Sequence, residues 1–257
     1  MRIALGIEYD GAAYHGWQIQ PHARTVQAVL EEALSRVADH PVRVQCAGRT
    51  DTGVHATAQV VHFDTEARRS ERSWVLGSNV NLPFDVNVGW AKQVPETFHA
   101  RFSATGRHYR YVILNRMTRS ALHRKRVVWE HRPLDVERMS RAGRHLLGRH
   151  DFSSYRALGC QAKTPVRELR RLVVSRCGDR IVIEVSADAF LHHMVRNIAG
   201  VLMAIGRGDR PEEWSREVLE LRDRTLGGVT APPDGLYLTG VDYPQEFGLP
   251  QALAPLF

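Results

Sequence analysis

The feature that most constrains the fold is the order in which strand-like and helix-like patterns of apolar residues follow one another along the chain. Apolar residues alternate along residues 2–9, which predicts a strand, and recur at helical spacing after Thr25, a plausible helix N-cap. The first hundred residues predict the order β-α-β-β-α-β, the split arrangement of a ferredoxin-like unit. The predicted strands lie at 2–9, 42–46, 59–63 and 86–90, and the predicted helices at 25–37 and 70–79.

The same order of elements is predicted again after about residue 100. Strands are predicted at 106–114, 170–176, 180–186 and 236–242, and helices at 135–147, 190–206 and 211–222. We therefore expect an α+β protein with two ferredoxin-like halves, mainly antiparallel sheets, helices on one face and an active-site cleft between the halves. The expected domains are residues 1–100 and residues 101–257. The chain has no internal sequence repeat, so this duplication is inferred from topology alone.

Composition excludes several classes of protein. The 257 residues are 43% hydrophobic, and no apolar run approaches the eighteen or so residues of a membrane span. The first residues alternate and soon include acids, which indicates a strand and not a signal peptide, so we expect a cytoplasmic protein. The three cysteines are far apart and form no C-x-x-C pair. That spacing argues against both a disulfide framework and a zinc site.

Positive charge is concentrated in the middle of the chain. Residues 101–180 contain 20 Lys and Arg against 6 Asp and Glu, whereas the net charge of the whole chain is +7. Such asymmetry is typical of a protein that binds a polyanion. Residues 115–134 form a basic stretch without a sustained period, which we interpret as a functional insertion. A merely solvated loop is the alternative.

One segment, residues 46–56, is rich in glycine, hydroxyl and charged residues, which is typical of a functional loop. Asp51 lies at its centre, Arg49 precedes it by two residues, and Gly48 and Gly53 are its flexible positions. A carboxylate beside a guanidinium should stay ionised and oriented, and it could then act as a nucleophile or a base. The alternative is that Asp51 only shapes a turn, because Asp and Gly are common turn residues.

Aromatic and cationic residues alternate along the predicted strand at 106–114. One face carries Arg107, Tyr109 and Tyr111, and the other carries His108, Arg110 and Val112. Rings interleaved with cations suit a nucleic-acid base that is stacked while its phosphates are held, here by Arg107 and Arg110. Periodicity alone favours the alternative, a strand whose tyrosines pack in a core.

The predicted helix at 190–206 carries one unusual cation. His192 and Arg196 align at i, i+4 beside an apolar face, and a half-buried guanidinium needs an anion, for which Asp51 is a candidate. Metal ligation is disfavoured because no carboxylate lies at helical spacing from the histidines. The chain also has no phosphate-cradling glycine loop and no dinucleotide fingerprint. We therefore expect an enzyme that needs no cofactor and no metal.

Several motifs, in order, resemble the tRNA pseudouridine synthase A family. The segment AGRTDTGVHA around Asp51 resembles that family's catalytic-aspartate pattern, G-R-T-D-x-G-V-H. The other matching segments are Tyr9-Asp10-Gly11, Tyr14, Gly16-Trp17-Gln18, Thr25-Val26-Gln27, residues 107–111, residues 151–155 with Gly159-Cys160, residues 189–197 and residues 235–238. Together they span nearly the whole chain, which makes the resemblance far more specific than any single motif.

The resemblance implies an isomerase that converts uridine to pseudouridine at positions 38–40 of the tRNA anticodon stem-loop, working as a homodimer. It implies that Asp51 is the nucleophile, that Tyr109 stacks on the target base and that Arg196 pairs with Asp51. Arg49 would orient the site and contact tRNA, and Leu238 would form an apolar wall. Whether Asp51 attacks covalently or removes a proton stays open.

Two other classes of function are compatible with parts of the sequence. A non-catalytic RNA-binding protein or RNA chaperone would explain the charge and the aromatic residues, but not an aspartate in a basic loop. A nucleoside hydrolase or a deaminase would release free base or ammonia, whereas an isomerase releases neither.

Overall fold

A computed structural model describes residues 1–250 of the chain. These residues divide into two compact units. The first unit comprises Met1–Thr105 together with the residues from Tyr237 onward, and the second unit comprises Gly106–Leu236. The first break falls shortly after residue 100, and the described residues from Tyr237 to Pro250 belong again to the first unit.

The first unit contains the predicted β-α-β-β-α-β order. Its elements are β1 (Arg2–Tyr9), α1 (Val26–Ala38), β2 (Gln45–Cys46), β3 (His55–Asp64), α2 (Glu71–Asn81) and β4 (Val86–Val94). The Thr25 hydroxyl accepts from the N–H of Ala28 and so caps α1 as predicted. Strand β2 is shorter than the predicted strand at 42–46, and β3 begins before the predicted residue 59.

The second unit contains the first five elements of the predicted order, with additions, whereas the predicted last strand falls almost wholly in the first unit. Its elements are β5 (Gly106–Asn115), β6 (Val128–Glu130), α3 (Val136–Arg144), β7 (Gly148–Asp151), β8 (Val166–Cys177), β9 (Arg180–Ala187), α4 (Met194–Gly206) and α5 (Trp214–Leu221). Strand β10 (Leu236–Asp242) follows and begins on the last residue of this unit. None of the helices described in residues 1–250 has the length and apolarity needed to cross a membrane.

In the first unit, β1 lies between β3 and β4 and is antiparallel to both. Two strands pair with the other edge of β3. Strand β2 is antiparallel to the carboxyl end of β3, and β10 is parallel to the amino end of β3. The alternating side chains Ile3, Leu5 and Ile7 are all buried, which explains the period-two pattern at the start of the chain.

In the second unit, β5, β9, β8 and β7 pair antiparallel in that order, and β6 pairs parallel with β5. Helix α3 packs against β8 and α4. The prediction of a mixed fold with mainly antiparallel strands is therefore confirmed. The short strands β6 and β7 were not predicted, because three or four residues are too few to show a period.

Helix α4 begins at Met194, four residues later than predicted. His193 has a φ of 62°, in the left-handed region, and occupies the N-cap position of the helix. A residue in that conformation cannot continue a right-handed helix toward the amino end. The apolar side chains that follow, Ile198, Val201 and Ile205, are buried as the helical spacing predicts.

A buried histidine on β3 predicts that the stability of the protein depends on pH. Burial, together with the charges of His99 and Arg2, lowers the pKa of His62 to about 4. An unfolded histidine has a pKa of about 6.5, so between these values the unfolded chain binds the extra proton. The stabilisation from neutral His62 should be present above pH ~6.5 and be lost as the pH falls toward 4.

Urea unfolding at several pH values would test this pH dependence, and a His62→Gln variant should lose less stability between pH ~6.5 and 4 than the parent. An equal loss in both proteins would contradict the assignment.

Candidate active site

The loop that carries Asp51 is a tight turn between two paired strands. The N–H of Val54 donates to the carbonyl of Asp51 at 3.1 Å, and Gly53 has a φ of 79°. A positive φ at the third residue is typical of a type II turn, in which glycine is preferred. The flanking strands β2 and β3 are antiparallel, which confirms the predicted pairing around Asp51.

A second loop, residues 10–24, supports the Asp51 turn through backbone hydrogen bonds. The N–H of Trp17 donates to the carbonyl of Thr50 at 3.0 Å, and the N–H of Gly53 donates to the carbonyl of Tyr14 at 3.3 Å. These bonds fix the residues on both sides of Asp51. The turn is therefore held by a neighbouring segment as well as by its own strands.

Two glycines allow the supporting loop to approach so closely. A Cβ atom on Gly11 would lie 1.9 Å from the carbonyl oxygen of Val54, a distance that only a backbone shift could relieve. Gly16 has a φ of 84°, and a Cβ atom there would lie 2.8 Å from the carbonyl oxygen of Thr50. Any larger residue at either position would displace the backbone on one side of Asp51.

Buried hydroxyl groups anchor the two loops to the rest of the unit. The hydroxyls of Tyr9 and Thr50 form a buried hydrogen bond of 2.7 Å. The Tyr14 hydroxyl donates to the Asp85 carboxylate, which also forms a salt bridge with Arg24. Burial and this hydrogen bond raise the pKa of Tyr14, so its hydroxyl stays protonated and acts as a donor.

Asp51 is half-buried at the surface of this turn, and Arg49 is exposed. Burial raises the pKa of the Cys46 thiol to about 11, although the Arg49 guanidinium acts in the opposite direction. The positive charge of Arg49 therefore acts on Cys46, the first residue of the loop. Its predicted pairing with Asp51 stays a prediction.

The strand that follows Asp51 lies beside β10. Tyr237 is opposite His55, and Leu238 is opposite Ala56. The rings of His55 and Tyr237 stack with centroids 4.6 Å apart, and Leu238 is fully buried. The residue predicted as an apolar wall is thus next to the strand that leaves the Asp51 turn.

In the second unit, the predicted substrate-binding residues lie on β5. Tyr109 is half-buried and meets Phe190 edge to face, with centroids 5.1 Å apart. Arg107 donates to the carbonyl of Asp188 at 2.9 Å, and Arg110 forms a 2.6 Å salt bridge with Glu184. Tyr111 is fully buried, so one of the two tyrosines packs in the core, as the alternative reading of this strand expects.

Arg196 lies in the first turn of α4, where two backbone segments meet. Its Nε donates to the carbonyl of Ala231 at 2.8 Å, and the N–H of Ala231 donates to the carbonyl of Arg196 at 3.1 Å. These bonds fix the guanidinium at the start of the helix. The predicted alignment of His192 with Arg196 on one helix face is wrong, because His192 lies in the turn before the helix begins.

Sequence reasoning assigned no role to the residues that support the Asp51 turn, namely Gly11, Tyr14, Gly16 and Trp17. The signals were the place of these residues in the motifs that resemble the family and the mixture of glycines and aromatic residues within residues 10–24. That composition indicates a loop, but not which other loop it contacts. Asp51 lies in a turn held by hydrogen bonds, and β5 carries tyrosine and arginine side chains. This combination fits an enzyme that acts on nucleic acid.

Comparison with known proteins supports that class. The family model for tRNA pseudouridine synthase matches residues 6–103 and 142–244. The proteins named tRNA pseudouridine synthase A from Methylococcus capsulatus and Nitrosococcus oceani are 62% and 61% identical over 249 and 256 residues. These matches cover 97% and 100% of this chain, and 92% and 99% of the relatives. The protein named tRNA pseudouridine synthase A from Coxiella burnetii is 56% identical over 257 residues, which cover 100% of this chain and 98% of the relative.

The chain therefore belongs to the tRNA pseudouridine synthase family, a family of isomerases. This confirms the resemblance predicted from the sequence.

Proposed function

We propose that the protein isomerises uridine to pseudouridine at positions 38–40 in the anticodon stem-loop of tRNA, with Asp51 as the catalytic carboxylate. The observation that carries the proposal is the construction of the Asp51 turn. Hydrogen bonds to Thr50 and Gly53 hold it, and it belongs to a segment that matches the family's aspartate motif. A catalytic group must be held in place if it is to act on a reacting atom.

The reaction needs three events at one nucleotide. The N1–C1′ bond breaks, the uracil turns over while it is still held, and C5 bonds to C1′. C5 then loses its proton, and N1 gains one, so the product has the same composition as the substrate. Asp51 serves the first step as a nucleophile or a later step as a base, and Tyr109 stacks on the base and assists removal of the C5 proton.

Arginine side chains supply the remaining contacts in the proposed site. Arg196 pairs with the Asp51 carboxylate and orients it, and Arg49 orients the site and contacts tRNA. Arg107 and Arg110 bind the substrate from β5. Leu238, which is buried, forms the apolar wall behind the site, since a base that leaves its stack needs an apolar or aromatic partner.

The basic residues of the second unit supply electrostatic binding of tRNA. Arg119, Arg124, Lys125 and Arg126 are all exposed within the stretch between β5 and β6. Exposure places these four cations where they can bind the phosphates of tRNA. We further propose that the protein works as a homodimer, which sedimentation of the purified protein would test.

The chemical identity of the product tests the proposed reaction. Incubation with tRNA should convert uridine into a nucleoside of unchanged mass whose base is joined to ribose through carbon. Release of free uracil would indicate a hydrolase, and release of ammonia would indicate a deaminase. Binding of tRNA without any product would support a non-catalytic RNA-binding protein and would contradict the proposal.

A further inference from the structure

The first unit presents an exposed aromatic ring beside an arginine just before β5. Phe102 is 76% exposed, and the guanidinium carbon of Arg101 lies 5.6 Å from its ring centroid. Arg101 is also exposed. A single exposed phenylalanine needs no explanation by itself. This one differs in the way the surrounding chain holds it.

Hydrogen bonds fix the turn that carries the ring. The N–H groups of Arg101 and Phe102 both donate to Nδ1 of His99, at 3.1 and 3.3 Å. The N–H of Ser103 donates to the carbonyl of His99, and the N–H of His99 donates to the hydroxyl of Ser103, both at 2.9 Å. The backbone beneath Phe102 is therefore closed on itself, and the ring projects from a rigid support.

A series of rings connects Phe102 to the core. The ring of His99 lies 4.4 Å from that of Phe102, and the ring of His62 lies 4.6 Å from that of His99. His62 in turn meets the buried ring of Phe98 edge to face. Burial lowers the pKa values of both histidines, so both rings are neutral near pH 7. The column extends from the core to the surface and ends on an exposed ring.

Phe84 provides an internal comparison. It follows α2 in the same unit and is fully exposed. Among residues 1–250, no ring contact or cation contact is described for it. Exposure alone therefore does not set Phe102 apart, whereas its rigid support and its adjacent cation do.

We propose that Phe102 is a stacking platform for an unpaired tRNA base other than the reacting uridine, and that Arg101 binds the phosphate next to that base. The proposal rests on tRNA being the substrate. Exposed aromatic rings bind unpaired bases through their faces, and a neighbouring arginine adds charge. A rigid ring loses little conformational entropy on binding, which favours this use of the turn. The pairing of a ring with a cation matches RNA better than an apolar protein surface.

Replacing the ring tests the platform. Phe102→Ala should weaken tRNA binding by about fivefold to a hundredfold, the range expected for loss of one stacked base. The fall in kcat/KM should lie mainly in KM, and Phe102→Trp should restore affinity. Phe84→Ala is the matched control and should bind tRNA like the parent. Urea unfolding of each variant should verify that the fold is intact.

Replacing the cation tests the phosphate contact. Arg101→Ala should reduce the slope of log affinity against log salt by about one, whereas Arg101→Lys should retain it. Unchanged affinity in Phe102→Ala would overturn the proposal. So would a change of oligomeric state on that substitution, which would assign the ring to a subunit contact. Formation of pseudouridine by the parent protein tests the proposed function separately, so the two failures are distinguishable.

Discussion

Asp51→Ala should lower the rate of pseudouridine formation by at least about a thousandfold, because it removes the carboxylate on which the proposed reaction depends. Affinity for tRNA should change little, since most of the binding comes from phosphate contacts elsewhere. Asp51→Asn keeps the shape of the side chain and should fail to the same extent. Single-turnover conversion and a filter-binding assay would measure the two quantities on the same preparations.

The Asp51 turn also contains a suitable control. Thr52 is exposed and adjacent in sequence, so Thr52→Ala should convert uridine at a rate close to that of the parent. If Asp51→Ala retained normal conversion, Asp51 would be only a turn residue. If it lost tRNA binding in proportion to activity, its main role would be binding and not chemistry.

Gly11→Ala should reduce the catalytic rate by about a hundredfold although residue 11 carries no reactive group. The new Cβ atom would lie 1.9 Å from the carbonyl oxygen of Val54, so one of the two loops must move. Movement of the Asp51 turn by about 1 Å is enough to lower the catalytic rate by about a hundredfold. The change should appear in kcat, and tRNA affinity should be nearly retained.

Gly89→Ala is the matched control for that substitution. Gly89 lies on β4, and the nearest atom that a Cβ there would meet is 3.9 Å away, an ordinary contact. It should therefore fold and react like the parent. Equal activity of Gly11→Ala and Gly89→Ala would show that residues 10–24 do not position Asp51.

The regular elements of the fold could be predicted because their side chains carry a period. Strand β1 and helix α1 show this most clearly, since Ile3, Leu5 and Ile7 alternate and Thr25 caps the helix where predicted. Pairing of β2 with β3 followed from the short connection between them. These features depend on neighbours in sequence and on which side of an element is buried.

The supports of the site could not be predicted for the opposite reason. Gly11 and Gly16 matter because of Val54 and Thr50, which are remote in sequence and make contact only through backbone atoms. The start of α4 depended on the left-handed backbone of His193, a conformation that no periodicity reveals. The family motif predicted that Asp51 matters, whereas the structure adds how the turn that carries it is held.

The most direct test of the central claim is to incubate the protein with unmodified tRNA and map pseudouridine at each nucleotide. Substrates should carry uridine at positions 38, 39 and 40 and at several other positions. The account predicts pseudouridine at positions 38–40 and at no other position, and none with the Asp51→Ala variant. Unmodified uridine at all three positions, or pseudouridine elsewhere in the tRNA, would contradict it.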